Sequence, residues 1–565
     1  MKIKYTHEIK TGDKITDEEI LKLIVKKRKI KNIKEFMNPS SPMSIGLMDF
    51  GYKKEIKKTV KILEEIKNKQ QMIVVYTDYD ADGITGGAIL WETLYLLGFK
   101  VMPYVPHRKN EGYGFSNKGI DNVKKEFNPA LIISVDHGIS AREKIAYAKS
   151  LGIDVIVTDH HLKPDKLPDK ALAIFHISEL SGSGVAYFFA KEIFNAFKKY
   201  LPKNLQGKLE YNFQIDYLAL AAIGTIADMV PLLGPSRSLV KYGLPAFKNI
   251  KRVGIRHILL EAGIIDKEIS PYEVGFIIAP RINAVGRLEH ALDALRLLCT
   301  NNEEKARQLA TKVGLKNRER QDLVKQAVDE AKKMVESILT PEVNKFGGLP
   351  KIIILKSDHW HEGIIGLIAS KIADKFFRPT IVMTKSDGIY KGSARSIPAL
   401  SITDFLKKLH KYLIDVGGHK QAAGFTIEKN QVDNFIRTSE KEINKWLKNK
   451  DLVREISADI KIPISRVTMN LAKYIETLKP FGIGNLEPTF YSEGKIVGTK
   501  TFGKKNEHIK IYIKDTSSQQ NSVELIYFNY SQLPDDINQI KLIYRLSVNN
   551  WNHKEKLNAI IQNLS

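Results

Sequence analysis

Short apolar runs recur between residues 70 and 180, each ending in polar or charged residues. "MIVVYTDYD", "VMPYVPHR", "ALIISVDHG", "IDVIVTDHH" and "ALAIFHI" are rich in apolar and β-branched residues, and helical patterns such as "ITGGAILWETLYLLG" and "AREKIAYAKSLG" separate several of them. Runs that are apolar at almost every position predict strands covered on both faces. Their alternation with helices predicts a mostly parallel sheet of the α/β class.

Residues 303 to 339 hold almost nothing but helix formers, Gly314 being the weak point. One continuous helix of that length would span about 55 Å, enough to connect two separate domains. A second α/β pattern follows in "LPKIIILKSD", "IIGLIASKIADKF" and "RPTIVMTKS". Beyond about residue 451, "KIVGTKTFG", "HIKIYIKD", "SVELIYF" and "KLIYRLSV" are regularly spaced short strands, which predicts a small barrel. The first 45 residues are basic and weakly helical, with "NPSSP" (38 to 42) breaking the chain before the main body. The expected domains are therefore a basic segment (1–45), a first α/β domain (46–295), a connecting helix (296–345), a second α/β domain (346–450) and a barrel (451–565).

Length and charge narrow the function. At 565 residues several domains are expected, and 88 Lys plus Arg against 64 Asp plus Glu leave a net charge of +24. Such an excess attracts nucleic acid, an anionic membrane or another polyanion. Cys299 is the sole cysteine, so neither an internal disulfide nor a cysteine-based zinc site is available, and a reducing cytoplasm is expected. The most apolar long stretch, "YLALAAIGTIADMVPLLG" (217 to 234), carries Asp228 inside it, which argues against a membrane span.

The chemistry lies where the first set of strands ends. Asp78, Asp80 and Asp82 follow one strand, Asp136 and His137 a second, and Asp159, His160 and His161 a third. The carboxyl ends of parallel strands share one edge, where ligand sites form. Carboxylates this close repel one another unless a cation neutralises them. Oxygen ligands with a few imidazoles suit Mn²⁺ or Mg²⁺, and Asp228 adds a carboxylate at the end of an apolar helix. The inventory is large enough for two metal ions sharing a carboxylate. His137 is expected to be a loop residue.

"DYDADG", "VDHG", "TDHH" and "ADMVPL", in that order, resemble the motifs of the DHH phosphoesterase superfamily. Within it the likeness is to the RecJ family of bacterial single-strand-specific DNA exonucleases: "PHRKNEGYG", "PRINAVGRL", "HWHEGIIGLIASKI", "GSARS", "GGHKQAAGF" and "PFGIGNLEP" look like its further signatures, over residues 45 to 490. Thr77 stands where the family often has glycine, and His137 occupies a variable position. The resemblance implies a DHH catalytic domain, a DHH-associated substrate-binding domain and an OB-like barrel. It implies that Asp80, Asp82, Asp136, His160 and Asp228 hold the metals, with Asp136 bridging, and that Asp78 is either a ligand or an orienter. It places His161 beside the scissile phosphate as an electrostatic or acid partner, and leaves Asp159 to orient its neighbours.

Guanidinium forks at Arg281 and Arg287, flanking a turn-forming "NAVG", suit phosphate oxygens. Ser393 and Arg395 in "GSARS", and His419 after Gly417 and Gly418, offer a phosphate cradle. The family context adds Arg108, Tyr113 and His361 to the substrate side. Glu111 and Tyr113 either orient substrate or lock a loop. His361 and Glu362 are not a metalloprotease helix, because Ile365 stands where its second histidine would be. Lys504, Lys505 and His508 fall on a strand pair that either tracks a nucleic-acid strand or is simply solvated.

The activity this implies is 5′ to 3′ hydrolysis of single-stranded DNA to mononucleotides in repair and recombination, with a water activated between two divalent ions. A single-strand-binding protein and a helicase are the implied partners. Two alternatives are an oligoribonuclease or cyclic-dinucleotide phosphodiesterase of the same superfamily, and a non-catalytic nucleic-acid-binding scaffold. The extra chain beyond residue 450 favours the exonuclease over the first, and the full set of acids favours it over the second.

Overall fold

The computed structural model describes residues 3–112, 114–338, 348–386, 388–515, 522–530, 539–551 and 554–564. They form two compact units: Met1–Gly286 with His290–Thr311 and Glu455–Ser565, and Arg287–Glu289 with Lys312–Arg454.

The first unit contains a five-stranded, wholly parallel sheet in the order Val101–Tyr104, Ile73–Thr77, Leu131–Val135, Asp154–Asp159, Ala173–His176. Ile73–Thr77 and Leu131–Val135 are buried at every position, as their unbroken apolar runs predict. The chain leaves Ile73–Thr77 to one side and returns to the other, so a topological switch point opens between the ends of these two strands. Helices Ala81–Leu96, Gly182–Phe197 and Asp216–Ala227 are almost wholly buried and pack on one another.

The same unit holds the barrel. Strands Phe490–Phe502, His508–Lys514, Val523–Tyr527, Lys554–Leu564 and Gln539–Trp551 pair in that order, and the last closes back on the first. In chain order this is 1-2-3-5-4-1, with the third and fifth strands parallel, the topology of an OB-fold. The N-terminal segment differs from the weakly helical arm expected. Ile3–Glu8 is a strand lying parallel to Ile456–Lys461, and the capped helix Asp17–Lys27 buries Ile20, Leu21, Ile24 and Val25 in the barrel's core. "IKYTHE" is mostly exposed, so it carries too few apolar positions to announce a strand.

Helix Glu303–Ile338 runs unbroken for 36 residues, about 54 Å, as its composition predicts. The second unit is built on a mixed sheet ordered Leu413–His419, Ala422–Glu428, Ile389–Arg395, Thr380–Ser386, Ile353–Lys356, antiparallel except for the last pair.

Arg237 fixes the barrel to the first sheet's helices. It is 0% exposed, stacks 3.7 Å from the Phe36 ring centroid, and donates to the carbonyls of Phe36, Leu478, Lys479 and Pro480. Its guanidinium is the donor for all four carbonyls, and burial lowers its pKa to about 10. Arg237→Met would leave buried acceptors unsatisfied. It is expected to destabilise this unit by about 3 kcal/mol or more, read as a lower denaturation midpoint by circular dichroism; an unchanged midpoint would contradict the anchoring role.

Candidate metal centre

The extended chain ends at Thr77, and the three aspartates of "DYDADG" then take different backbone settings. Asp78 is 1% exposed just beyond the strand. Asp80 caps helix Ala81–Leu96, its Oδ1 accepting from the N–H groups of Asp82 (3.0 Å) and Gly83 (3.1 Å). Asp82 lies in the first turn and accepts from the N–H groups of Gly182 (2.6 Å) and Ser183 (2.9 Å), at the start of the next buried helix. Glycine is required at two of these places. A Cβ on Gly83 would lie 2.8 Å from that of Asp78, and one on Gly182 would collide with the Asp136 carboxylate.

Asp136 follows the second strand in a left-handed conformation, φ +68°. His160 Nε2 lies 3.1 Å from Asp136 Oδ1, 3.5 Å from Asp228 Oδ2 and 3.9 Å from Asp82 Oδ2. The ligand atoms fall into three overlapping groups, each within 4.8 Å: Asp78, Asp80 and Asp136; Asp82, His160 and Asp228; Asp136, His160 and His161. Asp136 belongs to two of them, and the structure thus brings together all six residues expected to face metal.

Burial raises the pKa of Asp136 well above the usual carboxylate range, and Asp82, Asp80 and Asp78 raise it further. Burial and Asp80 do the same to Asp78; burial and Asp82 raise Asp80; burial, Asp82 and Asp80 push Asp228 up to about 8. Burial lowers His160, against the pull of Asp82. Among the described residues, the buried Asp78 Oδ1, Asp136 Oδ1 and His160 Nε2 make no well-aligned hydrogen bond, although the last two face each other at 3.1 Å. Unpaired lone pairs aimed into one crevice are costly unless a cation takes them up. The donor set, hard oxygens with one or two imidazoles, fits Mn²⁺ or Mg²⁺.

Asp159 orients both histidines. Its Oδ1 accepts from the N–H groups of His160 (2.7 Å) and His161 (3.1 Å) and lies 2.8 Å from His161 Nδ1, while Oδ2 accepts from Ile139 N–H at 2.8 Å. Burial opposes the charge on His161, but the hydrogen bond and charge of Asp159 hold its pKa up at about 9. It stands 30% exposed as a cation beside the acids. His137, expected as a loop residue, follows its strand end but is buried. Its Nε2 lies 3.1 Å from the Tyr76 carbonyl, it packs edge-on to Tyr76 and Phe115, and burial lowers it to about 4.

Arg108 lies over the Tyr79 ring, 5.1 Å from its centroid, close enough to favour the Asp78 carboxylate. Glu111 locks its loop by accepting from Tyr104 Oη (2.7 Å) and His107 N–H (3.3 Å). Tyr113 lies outside the described residues. The "NAVG" stretch is not a turn: Ala279–Leu288 is helical. Arg281, on that helix, bonds Glu261 (2.7 Å) and the Ile277 carbonyl (2.9 Å), so the structure gives it a structural ion pair. The helix carries a residue that sequence reasoning missed. Asn283 Oδ1 accepts from Ala81 N–H at 2.7 Å, capping the helix that bears Asp82, while a Cβ on Gly286 would lie 2.8 Å from the Tyr79 carbonyl. Gly182 and Ser183 were also missed, although "SGSG" before an apolar helical run is a capping signal.

In the second unit, Arg287, His361, Ser393 and Arg395 gather at the start of helix Ile365–Phe376. Arg287 Nη1 donates to the Gly363 carbonyl (3.3 Å), and His361 Nδ1 accepts from Gly363 N–H (3.0 Å). Arg395 reaches Ser370 and Ser393 hydroxyls at 3.1 Å each, and a Cβ on Gly366 would lie 3.0 Å from its Nη2. His419 and Arg395 both register opposite Ala422, so exposed Gly417, Gly418 and His419 lie on strands close to Arg395. A helix N-terminus with arginine, serine and histidine is suited to an anion.

Three family models match the chain: the DHH family N-terminal domain over residues 72–225, the DHHA1 domain over 349–445 and the RecJ OB domain over 458–563. The single-stranded-DNA-specific exonuclease RecJ of Haemophilus influenzae is 31% identical over 580 residues, covering 98% of this chain and 97% of that relative. The chain belongs to the RecJ family. RecJ of Bacillus subtilis is 33% identical over 525 residues, and the chain spans 63% of its length. The crystal structure of RecJ from Thermus thermophilus in complex with Mn²⁺ matches with a TM-score of 0.79 at 27% identity, covering 100% of this chain and 79% of that one. Of the acids that this RecJ-family chain gathers at its switch point, Asp78, Asp80, Asp82 and Asp136 stand within the DHH match and Asp228 just beyond its end, while the anion-suited helix start lies in DHHA1. Asn283→Ala should free the start of the Asp82-bearing helix and weaken Mn²⁺ binding about 10- to 100-fold by titration calorimetry. Unchanged affinity would show that the cap does not position the acids.

Proposed function

We propose that this chain is a processive exonuclease that hydrolyses single-stranded DNA from its 5′ end and releases mononucleotides, in DNA repair and recombination. The observation that carries this is the unpaired acid and imidazole cluster at the switch point of a chain that also bears the DHHA1 and RecJ OB domains. Asp80, Asp82, Asp136, His160 and Asp228, with Asp78 beside them, would hold two Mn²⁺ or Mg²⁺ ions, with Asp136 shared. When bound, the ions supply Lewis-acid stabilisation of phosphoryl charge and a lowered pKa for the attacking water.

The chain's own residues do the rest. Asp159 holds His161 protonated and aimed, so that its ring stabilises charge on the phosphoryl oxygens or gives its proton to the departing oxygen. Arg108 meets the terminal phosphate from the Tyr79 side. Within the second unit, Ser393, Arg395 and His419, with Arg287 and His361, form a phosphate-binding group of their own. Arg281 remains on the substrate side of this proposal, its guanidinium oriented by Glu261. The OB barrel guides the strand, with Lys504 and Lys505 in the turn between Phe490–Phe502 and His508–Lys514 and His508 at the start of the second of these strands. A cytoplasmic location and partnership with a single-strand-binding protein and a helicase belong to the same reading; no described helix is long and apolar enough to cross a membrane.

An oligomer labelled at either end, incubated with Mn²⁺, should release labelled mononucleotide first from the 5′ end. Chelator or Asp136→Ala should abolish that release. His161 is protonated below about pH 9 and loses its charge as pH rises through that value. Asp159→Asn removes the carboxylate that raises it, so the alkaline limb of the pH–rate profile should move to lower pH. Strand binding without cleavage in either metal would instead support a scaffold, and cleavage of only very short oligomers an oligonucleotide-degrading relative.

A further inference from the structure

On the helical run that leads to the Asn283 cap the structure exposes two large aromatic side chains that the mechanism above leaves unused. Tyr272 and Phe276 are 61% and 69% exposed, and their rings stack with centroids 5.0 Å apart and planes at 28°. Large apolar side chains left adjacent in solvent mark a surface that meets something. They sit where Pro271–Glu273 passes through a single π turn, Val274–Ile278, into helix Ala279–Leu288. Such turns re-aim side chains and recur at functional sites.

Their position ties them to the acids. Val274, Ile278 and Ile282 are buried on one side of this helical run, while Tyr272, Phe276, Pro280 and Asn283 stay accessible on the other. That accessible stripe ends at Asn283, whose side chain caps the Asp82-bearing helix. From Tyr272 to Asn283 the run rises on the order of 16 Å. Behind the platform, Gly275 lies against Ile226, within 3.8 Å for an added Cβ, two residues before Asp228. The aromatic pair is thus built on the same frame as two walls of the metal centre.

We infer that Tyr272 and Phe276 form a stacking platform for the bases of single-stranded DNA on the helical run that leads to the Asn283 cap. This rests on the single-strand-hydrolase reading and deepens it by assigning a base-contacting surface. Flat rings grip any base through its π-face, so the platform binds without reading sequence, as a strand-degrading enzyme requires. It also demands unstacked bases, so a duplex, whose bases are already stacked on one another, is excluded from it.

The test is binding by fluorescence anisotropy in chelator, with a labelled oligothymidine and a set of oligomers each carrying one abasic position. Native protein should bind the intact oligomer about tenfold more tightly than the oligomer lacking a base at one or two successive positions, and those positions should mark the platform. Tyr272→Ala/Phe276→Ala, with an unchanged thermal midpoint, should lose that difference, and Phe276→Trp should keep it. A folded double variant that discriminates against the same abasic positions as native protein would overturn the platform while leaving the hydrolase reading intact. Native protein that binds no single strand and, with Mn²⁺, cleaves none would instead overturn the reading beneath it.

Discussion

Repulsion among carboxylates governs this fold. Two like charges about 4 Å apart at an effective dielectric near 20 repel by about 4 kcal/mol. Asp78, Asp80, Asp82, Asp136 and Asp228 share one crevice, so the sum for several such pairs rivals the whole stability of a typical domain, about 5–15 kcal/mol. Protonation relieves part of this, which is why burial and neighbouring acids raise Asp78, Asp80, Asp136 and Asp228 together. Divalent cations would offset the repulsion while the carboxylates stay ionised as their ligands.

Much of the first unit serves to hold these groups against their own field. Helix N-termini point at the acids: Asp80 takes the amides of the Ala81–Leu96 helix and Asp82 those of Gly182–Phe197, where the aligned peptide dipoles favour negative charge. The left-handed backbone at Asp136, costing about 1–3 kcal/mol, tucks its carboxylate against Gly182. Even the barrel contributes. Ile483, in its leading loop, accepts from Leu232 N–H at 2.7 Å, four residues beyond Asp228, and Arg237 and Arg28 pin that loop in turn. Stability and site geometry therefore draw on the same contacts.

The buried parallel strands, the 36-residue helix and the acid cluster were legible because each leaves a local pattern: unbroken apolar runs, an uninterrupted run of helix formers, and like charges at successive strand ends. What escaped was set by distant contacts. "IKYTHE" becomes a strand only because Ile456–Lys461 offers it an edge. "NAVG" reads as a turn by composition, yet packing of Ile282 and Val285 keeps it helical. The roles of Asn283 and Gly182 depend on partners about 200 and 46 residues away, which no spacing rule reaches. His137 was expected as a loop residue outside the ligand set, but its ring is buried in the Tyr76–Phe115 pocket, a packing that no local pattern announces.

The central claim is that the acids are packed together to hold two divalent cations. Counting Mn²⁺ bound per chain by equilibrium dialysis, for native protein and for Asp136→Ala, tests it most directly. Two ions on the native chain, falling to one or none when the shared carboxylate is removed, is the predicted result; a native chain that binds none, or an Asp136→Ala chain that still binds two, would contradict it.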